Sequence, residues 1–392
     1  MDRDGTVEVY APQPFGFDFQ TIVDGQQLYR GEVKSPDDLV GDINATMGDG
    51  GIDLVVLGTC EVECPWIEAL LSAWDTRDEA HKFTLVCIVH NVNDDSWQRQ
   101  IPEWSRRNAI RILSISDHVA ATFKRSFLIN ADSPDAATRS AGLEYIPVDV
   151  HVPILDIPLA VDDRPTRILT NAVIQGSFNT DRRDYVEMFS ELKESLARDP
   201  KAWGYLPLEA EDASYTVDTT LPDPEFRLYL IGSGYLEIPH ELKNMVFIRD
   251  GLNYSDFYEL MGSMDICIPA FSPTNSYYDN QASSTFAMAV ECDVPILVTE
   301  RIKKAYAYVN DDRAVVTRPA AMREIEALRA LRTGDVNYFL HRTGTPFDSQ
   351  TARAAQAMMR KGWVRSGAES RSFKEDAWRA NERVVERILR DL

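Results

Sequence analysis

The stretch over residues 226–299 alternates short apolar runs with tight turns and short helical segments. The run 226–231 is apolar and aromatic-rich, and it stops at Gly232-Ser233-Gly234, as a buried parallel strand stops at a tight turn. The same pattern predicts strands over 245–248, 266–268 and 296–298 and a helix over 256–261. This alternation is typical of a doubly wound parallel sheet with crossover helices. Ligands of such sheets lie beyond the carboxyl ends of the strands.

The chain is long enough for two domains. Its 392 residues, of which 44% are hydrophobic, can supply two cores. Prolines and acidic residues interrupt the periodic pattern over 153–165, where we expect the domain boundary. We therefore expect an α/β protein with a Rossmann-like domain over 1–158, a second over 165–345, and a helical segment over 346–392.

Composition narrows the possible partners and locations. A net charge of −21 argues against nucleic acid, because contact with phosphates demands a basic surface. No run reaches the roughly 18 apolar residues that a membrane span needs, and no signal peptide is recognisable. Cys87 and Cys267 lie within predicted strands, which is typical of buried, reduced thiols. We expect a soluble, cytoplasmic protein, and an upstream membrane anchor stays open.

Metal chemistry is not expected. Cys60 and Cys64 have no second pair of cysteines and no histidine near them, so their spacing does not predict a metal site. Asp2-Arg3-Asp4 has the spacing of a metal-binding Asp-x-Asp, but it lies at the terminus and follows no strand.

A first candidate for anion binding follows the predicted strand 173–175. That strand leads to Gly176, where the backbone can approach a ligand closely, and Arg182 and Arg183 then present two guanidiniums. An alternative stays open, in which these arginines begin a helix and pair with Asp181 or Asp184.

A second candidate is the start of the predicted helix over 286–291. Ser283, Ser284 and Thr285 precede it, and a serine or threonine N-cap leaves backbone N–H groups that suit a pyrophosphate. Because every α/β fold needs capped helices, a purely structural role is the favoured interpretation for this cap taken alone.

His90 follows the predicted strand 83–89. A polar residue at the carboxyl end of a buried strand lies where such sheets bind ligands, and histidine titrates near neutral pH. His90 could orient a ligand hydroxyl or exchange protons with it, or it could only bond to a neighbouring loop. Glu61, after the predicted strand 52–57, is a weaker candidate.

The order of these segments resembles the donor domain of GT-B glycosyltransferases. The similarity lies in the strand before Gly232-Ser233-Gly234, the run 264–269 with Asp265 and Pro269, the helix after Ser284, and Val294-Pro295. Within that class the chain is most similar to the large retaining group that includes sucrose synthases and bacterial lipid mannosyltransferases. Segments 112–119 and 145–150 resemble parts of that family's first domain, so the resemblance spans about three quarters of the chain.

The resemblance implies two Rossmann-like domains facing a cleft, with the last helix crossing back to the first domain. It implies transfer of a sugar from a nucleotide-diphosphate sugar to an unknown glycan, lipid or small molecule, with retention and without a metal ion or other cofactor. Arg182 would contact the diphosphate, Arg183 would be the second choice, and His90 would face the acceptor. The remaining donor contacts would be Gly176, Gly232, Gly234, Arg249 for the base, Tyr278 and Gln281 for the sugar, and Ser283, Ser284 and Thr285 for the diphosphate.

One motif departs from the family pattern. The family has two glutamates eight positions apart, and here Asn280 and Met288 stand in their places. Glu291 and Asp279 are the nearest substitutes. Two other functions therefore stay open: a catalytically inactive GT-B binding module and a nucleotide-sugar epimerase.

Two further segments have simple interpretations. Residues 204–225 are acidic and rich in proline and threonine, which predicts a solvated surface loop. The tail from 351 onward is predicted to be helical. Its packing on the first domain is the family expectation, and a peripheral membrane contact is the alternative, through Arg379, Arg383, Arg387 and Arg390.

Overall fold

The computed structural model describes residues 7–12, 16–45, 51–94, 96–157, 168–210, 213–342 and 347–392. The chain divides into two compact units. Unit 1 comprises Met1–Pro153, Tyr278–Ser283 and Ala377–Leu392, and unit 2 comprises Ile154–Tyr277 and Ser284–Asp376. Asp2-Arg3-Asp4 and the 158–165 part of the predicted boundary lie outside the described residues.

Unit 1 is an α/β unit. Within its described residues the strands are β1 (Val9–Tyr10), β2 (Val33–Lys34), β3 (Leu54–Leu57), β4 (Thr84–Val89), β5 (Ile110–Ser114) and β6 (Val148–Val150). The helices are α1 (Phe19–Gly25), α2 (Leu39–Ala45), α3 (Cys64–Thr76), α4 (Ile101–Arg106), α5 (Asp117–Ala131) and α6 (Ala136–Arg139). The main sheet has the order β3-β4-β5-β6 and is parallel, and β1 and β2 form a separate parallel pair.

Both faces of the unit 1 sheet are covered. On one face Leu85 and Val89 of β4 pack in a core with Phe123 of α5. On the other face Val86 and Leu113 pack with Val384 and Ile388 from the end of the chain. A parallel sheet covered on both faces needs near-continuous apolar strands, and β4 and β5 have that character.

Unit 2 is a second α/β unit with a larger sheet. Its described strands are β7 (Asn171–Gln175), β8 (Arg227–Gly232), β9 (Val246–Asp250), β10 (Ile266–Cys267), β11 (Ile296–Val298) and β12 (Val315–Thr317). Its helices are α7 (Tyr185–Arg198), α8 (Pro200–Trp203), α9 (Tyr254–Gly262), α10 (Thr285–Glu291), α11 (Glu300–Ala305), α12 (Glu324–Thr333), α13 (Asn337–His341) and α14 (Ser349–Lys361). The last helix, α15 (Gly367–Arg390), begins in unit 2, and its residues from Ala377 onward group with unit 1.

The strand order of the unit 2 sheet is β12-β11-β10-β7-β8-β9, and every pairing is parallel. With the strands numbered 1 to 6 within the unit, the order is 6-5-4-1-2-3, which is the order of the dinucleotide-binding Rossmann fold. In that fold the first three strands extend the sheet to one side, and the fourth strand starts the other side next to the first. Here that switch point lies between β7 and β10. The predicted fold class, an α/β protein with two Rossmann-like domains, is confirmed.

The prediction of a solvated loop over 204–225 is wrong for its aromatic residues; residues 211 and 212 lie outside the described part. Tyr205 and Tyr215 are buried in the unit 2 core, and the Tyr205 hydroxyl donates a hydrogen bond to the carbonyl oxygen of Phe226 at 2.9 Å. The acidic composition of the segment does not indicate that these two rings are buried. A tyrosine ring buries a large apolar surface when its hydroxyl has a hydrogen-bond partner.

The helical tail is confirmed as α14 and α15. Of the four arginines in the membrane-contact alternative, Arg387 donates to Asp149 of unit 1 at 2.5 Å. No helix among the described residues is long and apolar enough to cross a membrane.

The amino-terminal ends of β7 and β10 are joined by a buried carboxylate. Asp265, 5% exposed, accepts hydrogen bonds from the Thr170 and Asn171 backbone N–H groups at 2.7 and 2.8 Å. It also accepts one from the Thr170 hydroxyl at 2.9 Å. Asp265 therefore holds the two strands that flank the switch point.

We predict that Asp265→Ala lowers the free energy of unfolding by about 2–4 kcal/mol, because three part-buried donors lose their acceptor. Denaturant titration followed by circular dichroism measures this change. Asp250→Ala, at the exposed end of β9, is the control and should change stability by less than about 0.5 kcal/mol. Equal effects of the two substitutions would show that Asp265 does not hold the strands.

Candidate functional site

Two glycine loops lie side by side at the carboxyl edge of the unit 2 sheet. Gly176 follows β7 and donates its N–H to the carbonyl oxygen of Ile231 at 2.9 Å. Gly232 ends β8, and a Cβ atom there would overlap the carbonyl oxygen of Gly176. Gly234 lies two residues further along the second loop. The close approach of the two loops therefore requires glycine at position 232.

The side chain of Arg183 lies against Gly176 and is 2% exposed. Its guanidinium donates to the carbonyl oxygen of Gln175 at 2.6 Å, to that of Pro269, and to the Thr285 hydroxyl at 3.0 Å. Gln175 ends β7 and Pro269 follows β10, so the guanidinium spans the switch point. Gly176 has φ of 128°, and a Cβ atom there would overlap this guanidinium.

The charge of Arg183 has no carboxylate partner among the described residues. The guanidinium is held by two carbonyl oxygens and one hydroxyl, and it lies 5.4 Å from the centroid of the Phe271 ring. Removing a charge from water is costly unless an opposite charge compensates it. In a low-dielectric interior the field of such a charge extends to the adjacent surface, where it favours an anion.

Arg182 is more accessible than Arg183. Its guanidinium donates to the Tyr277 hydroxyl at 3.1 Å and lies 5.8 Å from the centroid of that ring. The alternative that these arginines pair with Asp181 or Asp184 is wrong, because neither arginine has an ion pair in the described structure. Asp184 instead accepts a hydrogen bond from the Glu187 backbone N–H and so caps α7.

Of the residues predicted to cap the helix over 286–291, Ser284 does not cap it. Helix α10 begins at Thr285, and Ser284 occupies the N-cap position without a side-chain capping hydrogen bond. The backbone of Ser284 is helical, with φ of −65° and ψ of −16°, whereas a capping serine needs an extended conformation. Thr285 is fully buried and donates its hydroxyl to the carbonyl oxygen of Gln175 at 3.0 Å.

Glu291, the nearest substitute for a missing family glutamate, lies inside unit 2. It is 1% exposed, and its two oxygens accept hydrogen bonds from the Leu155 N–H at 2.9 Å and the Tyr258 hydroxyl at 3.2 Å. Burial raises the pKa of Glu291 to about 7. Lys374 lies nearby, 2.8 Å from Asp293, and its charge partly opposes that rise. Glu291 therefore contributes to the packing of unit 2.

Arg249 lies on β9 at the same edge of the sheet as Gly232. The strand register pairs Arg249 with Ile231 of β8. Its exposed guanidinium lies 6.0 Å from the Tyr229 ring centroid and 5.8 Å from that of Phe247, and these two rings stack at 5.5 Å. Arg249 thus has an aromatic surface beneath it and no ion-pair partner among the residues described.

His90 lies at the carboxyl end of β4 in unit 1. The backbone N–H groups of His90 and Asn91 donate to one oxygen of Glu61 at 2.6 and 2.7 Å. The Ala282 N–H donates to the carbonyl oxygen of His90 at 2.8 Å. The His90 ring contacts the carbonyl oxygen of Gly58 through Nε2 at 3.4 Å.

The segment Tyr278–Ser283, expected in the second domain, groups with unit 1. Gln281 forms an antiparallel bridge with Asn91, and its carbonyl oxygen lies 2.8 Å from Nε2 of His118. Asn280, which stands where the family has a glutamate, lies in this segment. The sequence near residues 278–283 has no pattern that predicts this grouping, because the bridge partner Asn91 is far away in the sequence.

No group of three or more His, Cys, Asp or Glu side chains in the described part of the chain is placed to hold a metal ion. Cys60, Cys87, Cys267 and Cys292 are buried free thiols. The buried state predicted for Cys87 and Cys267 is confirmed.

No protein-family model and no curated protein matches the chain. It is similar to the pneumococcal O-GlcNAc transferase GtfA in complex with UDP and GlcNAc, at 9% identity over 84% of this chain and 57% of that chain, with a TM-score of 0.40. It is also similar to an alpha-glucosyltransferase in complex with UDP and a 13-mer DNA, at 14% identity, 87% and 82% coverage and a TM-score of 0.44. A third is the alpha,alpha-trehalose-phosphate synthase (UDP-forming) from Burkholderia xenovorans, at 10% identity, 87% and 76% coverage and a TM-score of 0.42.

All three names include UDP. The chain spans little more than half the length of the pneumococcal transferase. Likeness at this level of identity and TM-score does not transfer an activity. The narrower resemblance to the group of sucrose synthases stays a prediction.

The raised pKa of Glu291 predicts a pH dependence of stability. Its ordinary value is 4.5 and its folded value about 7, so its contribution to stability is fully present below about pH 4.5 and is lost as pH rises through 7. We expect the wild type to lose about 1–3 kcal/mol more stability between pH 5 and 8 than Glu291→Gln does. Urea titrations at several pH values measure both profiles, and parallel profiles would contradict this assignment.

Proposed function

We propose that the chain is a glycosyltransferase that uses a nucleotide-diphosphate sugar, and that unit 2 binds the nucleoside diphosphate. The observation that carries this proposal is the buried guanidinium of Arg183, which spans the switch point of a parallel sheet without a carboxylate partner in the described structure. Open α/β sheets bind their ligands at this point. An uncompensated positive charge there suits an anionic group.

The chemistry of glycosyl transfer explains why the anion would be a diphosphate. As the bond from the sugar to the nucleotide breaks, negative charge accumulates on the diphosphate, and preorganised positive groups lower the barrier. Arg182 would contact the diphosphate directly, and Arg183 would supply a fixed charge beneath it. Gly176, Gly232 and Gly234 would let the backbone approach the phosphates. Two guanidiniums can together supply the positive charge for a reaction that needs no metal ion.

The remaining roles concern the base, the sugar and the acceptor. Arg249 would contact the base from β9, where the Tyr229 and Phe247 rings offer a stacking surface. His90 would act on the acceptor from unit 1, and Gln281, which lies beside Asn91, would contact the sugar. The acceptor would be a glycan, a lipid or a small molecule that presents a hydroxyl. The resemblance to the retaining family supports retention of the anomeric configuration.

A catalytically inactive binding module is the second candidate. Asn280 and Met288 replace the two family glutamates, and Glu291 is already engaged by Leu155 and Tyr258. Such a module would bind a nucleoside diphosphate without turning over any nucleotide sugar.

Hydrolysis of the donor in the absence of an acceptor tests the function. The purified chain is incubated with the common sugar conjugates of UDP, GDP and ADP, and released nucleoside diphosphate and free sugar are measured. A transferase should slowly release the unchanged sugar from conjugates of one base. An epimerized sugar would indicate the epimerase instead. Binding of a nucleoside diphosphate without release from any conjugate would support the inactive module.

We predict that Arg182→Ala weakens the binding of the preferred nucleoside diphosphate by about 1.5–3 kcal/mol, because a charge-assisted contact is lost. Isothermal titration calorimetry measures the change. Arg198→Ala is a matched control: Arg198 is an exposed arginine of α7 that lies over the Tyr338 ring, as Arg182 lies over Tyr277. An unchanged dissociation constant for Arg182→Ala would remove Arg182 from the site.

A further inference from the structure

The carboxyl edge of the unit 1 sheet contains a buried carboxylate that has no role in the function proposed above. Glu61 follows β3 and is 8% exposed. One of its oxygens accepts both the His90 and the Asn91 N–H, and its other oxygen is buried with no hydrogen-bond partner in the described structure. The carboxylate also forms no ion pair among the residues described.

This arrangement is costly for a purely structural contact. Two backbone N–H groups can be satisfied by a neutral carbonyl oxygen, whereas a buried carboxylate must be desolvated and here has one oxygen without a partner. Ionisable groups in such environments concentrate at functional sites. The two N–H groups that Glu61 accepts belong to the end of the strand that carries His90.

The loop that contains Glu61 also contacts the His90 ring. Gly58 lies at the start of this loop, and its carbonyl oxygen is 3.4 Å from Nε2 of His90. A carbonyl oxygen can only accept a hydrogen bond, so this contact requires a proton on Nε2. In the neutral ring, Nδ1 is then left to accept a hydrogen bond from another group. On the other side of the strand end, the Ala282 N–H holds the His90 carbonyl oxygen at 2.8 Å.

We propose that Glu61 is a positioning residue: it fixes the backbone of His90 and Asn91 so that the His90 ring keeps its contact with Gly58 and presents Nδ1 to a hydroxyl of the acceptor. This role rests on the proposed function, because it assigns His90 to the acceptor. It extends that function because the loop 58–63 then sets the orientation and the tautomer of the His90 ring.

The chain offers a control carboxylate in the same unit but outside this loop. Asp135 accepts a hydrogen bond from the Thr138 N–H at 2.7 Å, so it too is a carboxylate bonded to a backbone amide. This contact stays within residues 135–138 and does not involve His90. Loss of Asp135 therefore tests the general cost of removing a carboxylate that accepts from the backbone.

The kinetic test uses the full chain and hydrolysis of the nucleotide sugar that it binds. Glu61→Ala should lower kcat about tenfold or more, with KM for the donor and the dissociation constant of the nucleoside diphosphate within about twofold of wild type. Glu61→Gln should restore most of kcat, because an amide oxygen accepts the same two N–H bonds. Asp135→Ala should match wild type, and Glu61→Ala should have no further effect in a His90→Ala background.

Three outcomes would overturn the proposal: wild-type kcat in Glu61→Ala, an equal loss in Asp135→Ala, or a full additional loss in the His90→Ala background. Equal loss of kcat and nucleotide affinity in a Glu61→Ala chain that still folds would also overturn it. If the wild type hydrolyses no donor, the proposed function has failed and the structural part is tested separately by nuclear magnetic resonance.

Imidazole 15N shifts of His90 give that separate readout, with the His90 signals assigned by their absence in His90→Ala. The wild type should show the tautomer protonated on Nε2, and Glu61→Gln, chosen because it keeps the loop folded, should preserve it. Glu61→Ala should shift these signals or mix the two tautomers. Identical His90 signals in wild type and Glu61→Ala, both folded by circular dichroism, would refute positioning by Glu61.

Discussion

The structure of unit 2 depends on one buried positive charge. The guanidinium of Arg183 joins the carboxyl ends of β7 and β10 and the start of α10 through bonds to Gln175, Pro269 and Thr285. The neighbouring backbone is built around it, since a side chain at Gly176 would overlap the guanidinium. With no carboxylate partner in the described structure, this charge remains available to an anion at the edge of the sheet. The same group therefore closes the switch point structurally and defines its electrostatic character.

Much of this fold is predictable from the sequence. The strand predicted over 226–231 is found as β8 (Arg227–Gly232), and that over 296–298 is β11 (Ile296–Val298). β11 is buried along its whole length, and β8 is buried at Leu228, Leu230 and Ile231, so both strands form apolar runs that stop at turn residues. Because strands alternate with helices along the chain, only a few sheet topologies are possible.

Other features of the site depend on contacts between residues that are distant in the sequence, so the local sequence could not predict them. The antiparallel bridge between Gln281 and Asn91 places Tyr278–Ser283 in unit 1, and neither segment has a pattern that indicates the other. Arg182 and Arg183 are adjacent, yet only Arg183 is buried, because its side chain points under Gly176. Ser284 precedes a helix but has a helical backbone itself, so its cap is not formed. The amino-acid composition does not predict these contacts or these backbone conformations.

The two units place their charges differently. The candidate site of unit 2 is built from guanidiniums and glycines, while the carboxyl edge of unit 1 carries Glu61 beside His90. The positive edge suits a diphosphate, and the edge with Glu61 and His90 suits a neutral acceptor that presents hydroxyls. This division is the physical reason for assigning the donor to unit 2 and the acceptor to unit 1.

Comparison of nucleosides with their diphosphates tests most directly whether the charge at the switch point binds the donor. Calorimetric titrations would pair uridine with UDP, guanosine with GDP and adenosine with ADP. For at least one base, the diphosphate should bind about 100-fold more tightly than its nucleoside, because in the proposed site Arg182 and the glycine loops contact only the phosphates, above the buried charge of Arg183. Equal affinities within every pair, or no binding of any diphosphate at millimolar concentration, would contradict a diphosphate site at Arg183.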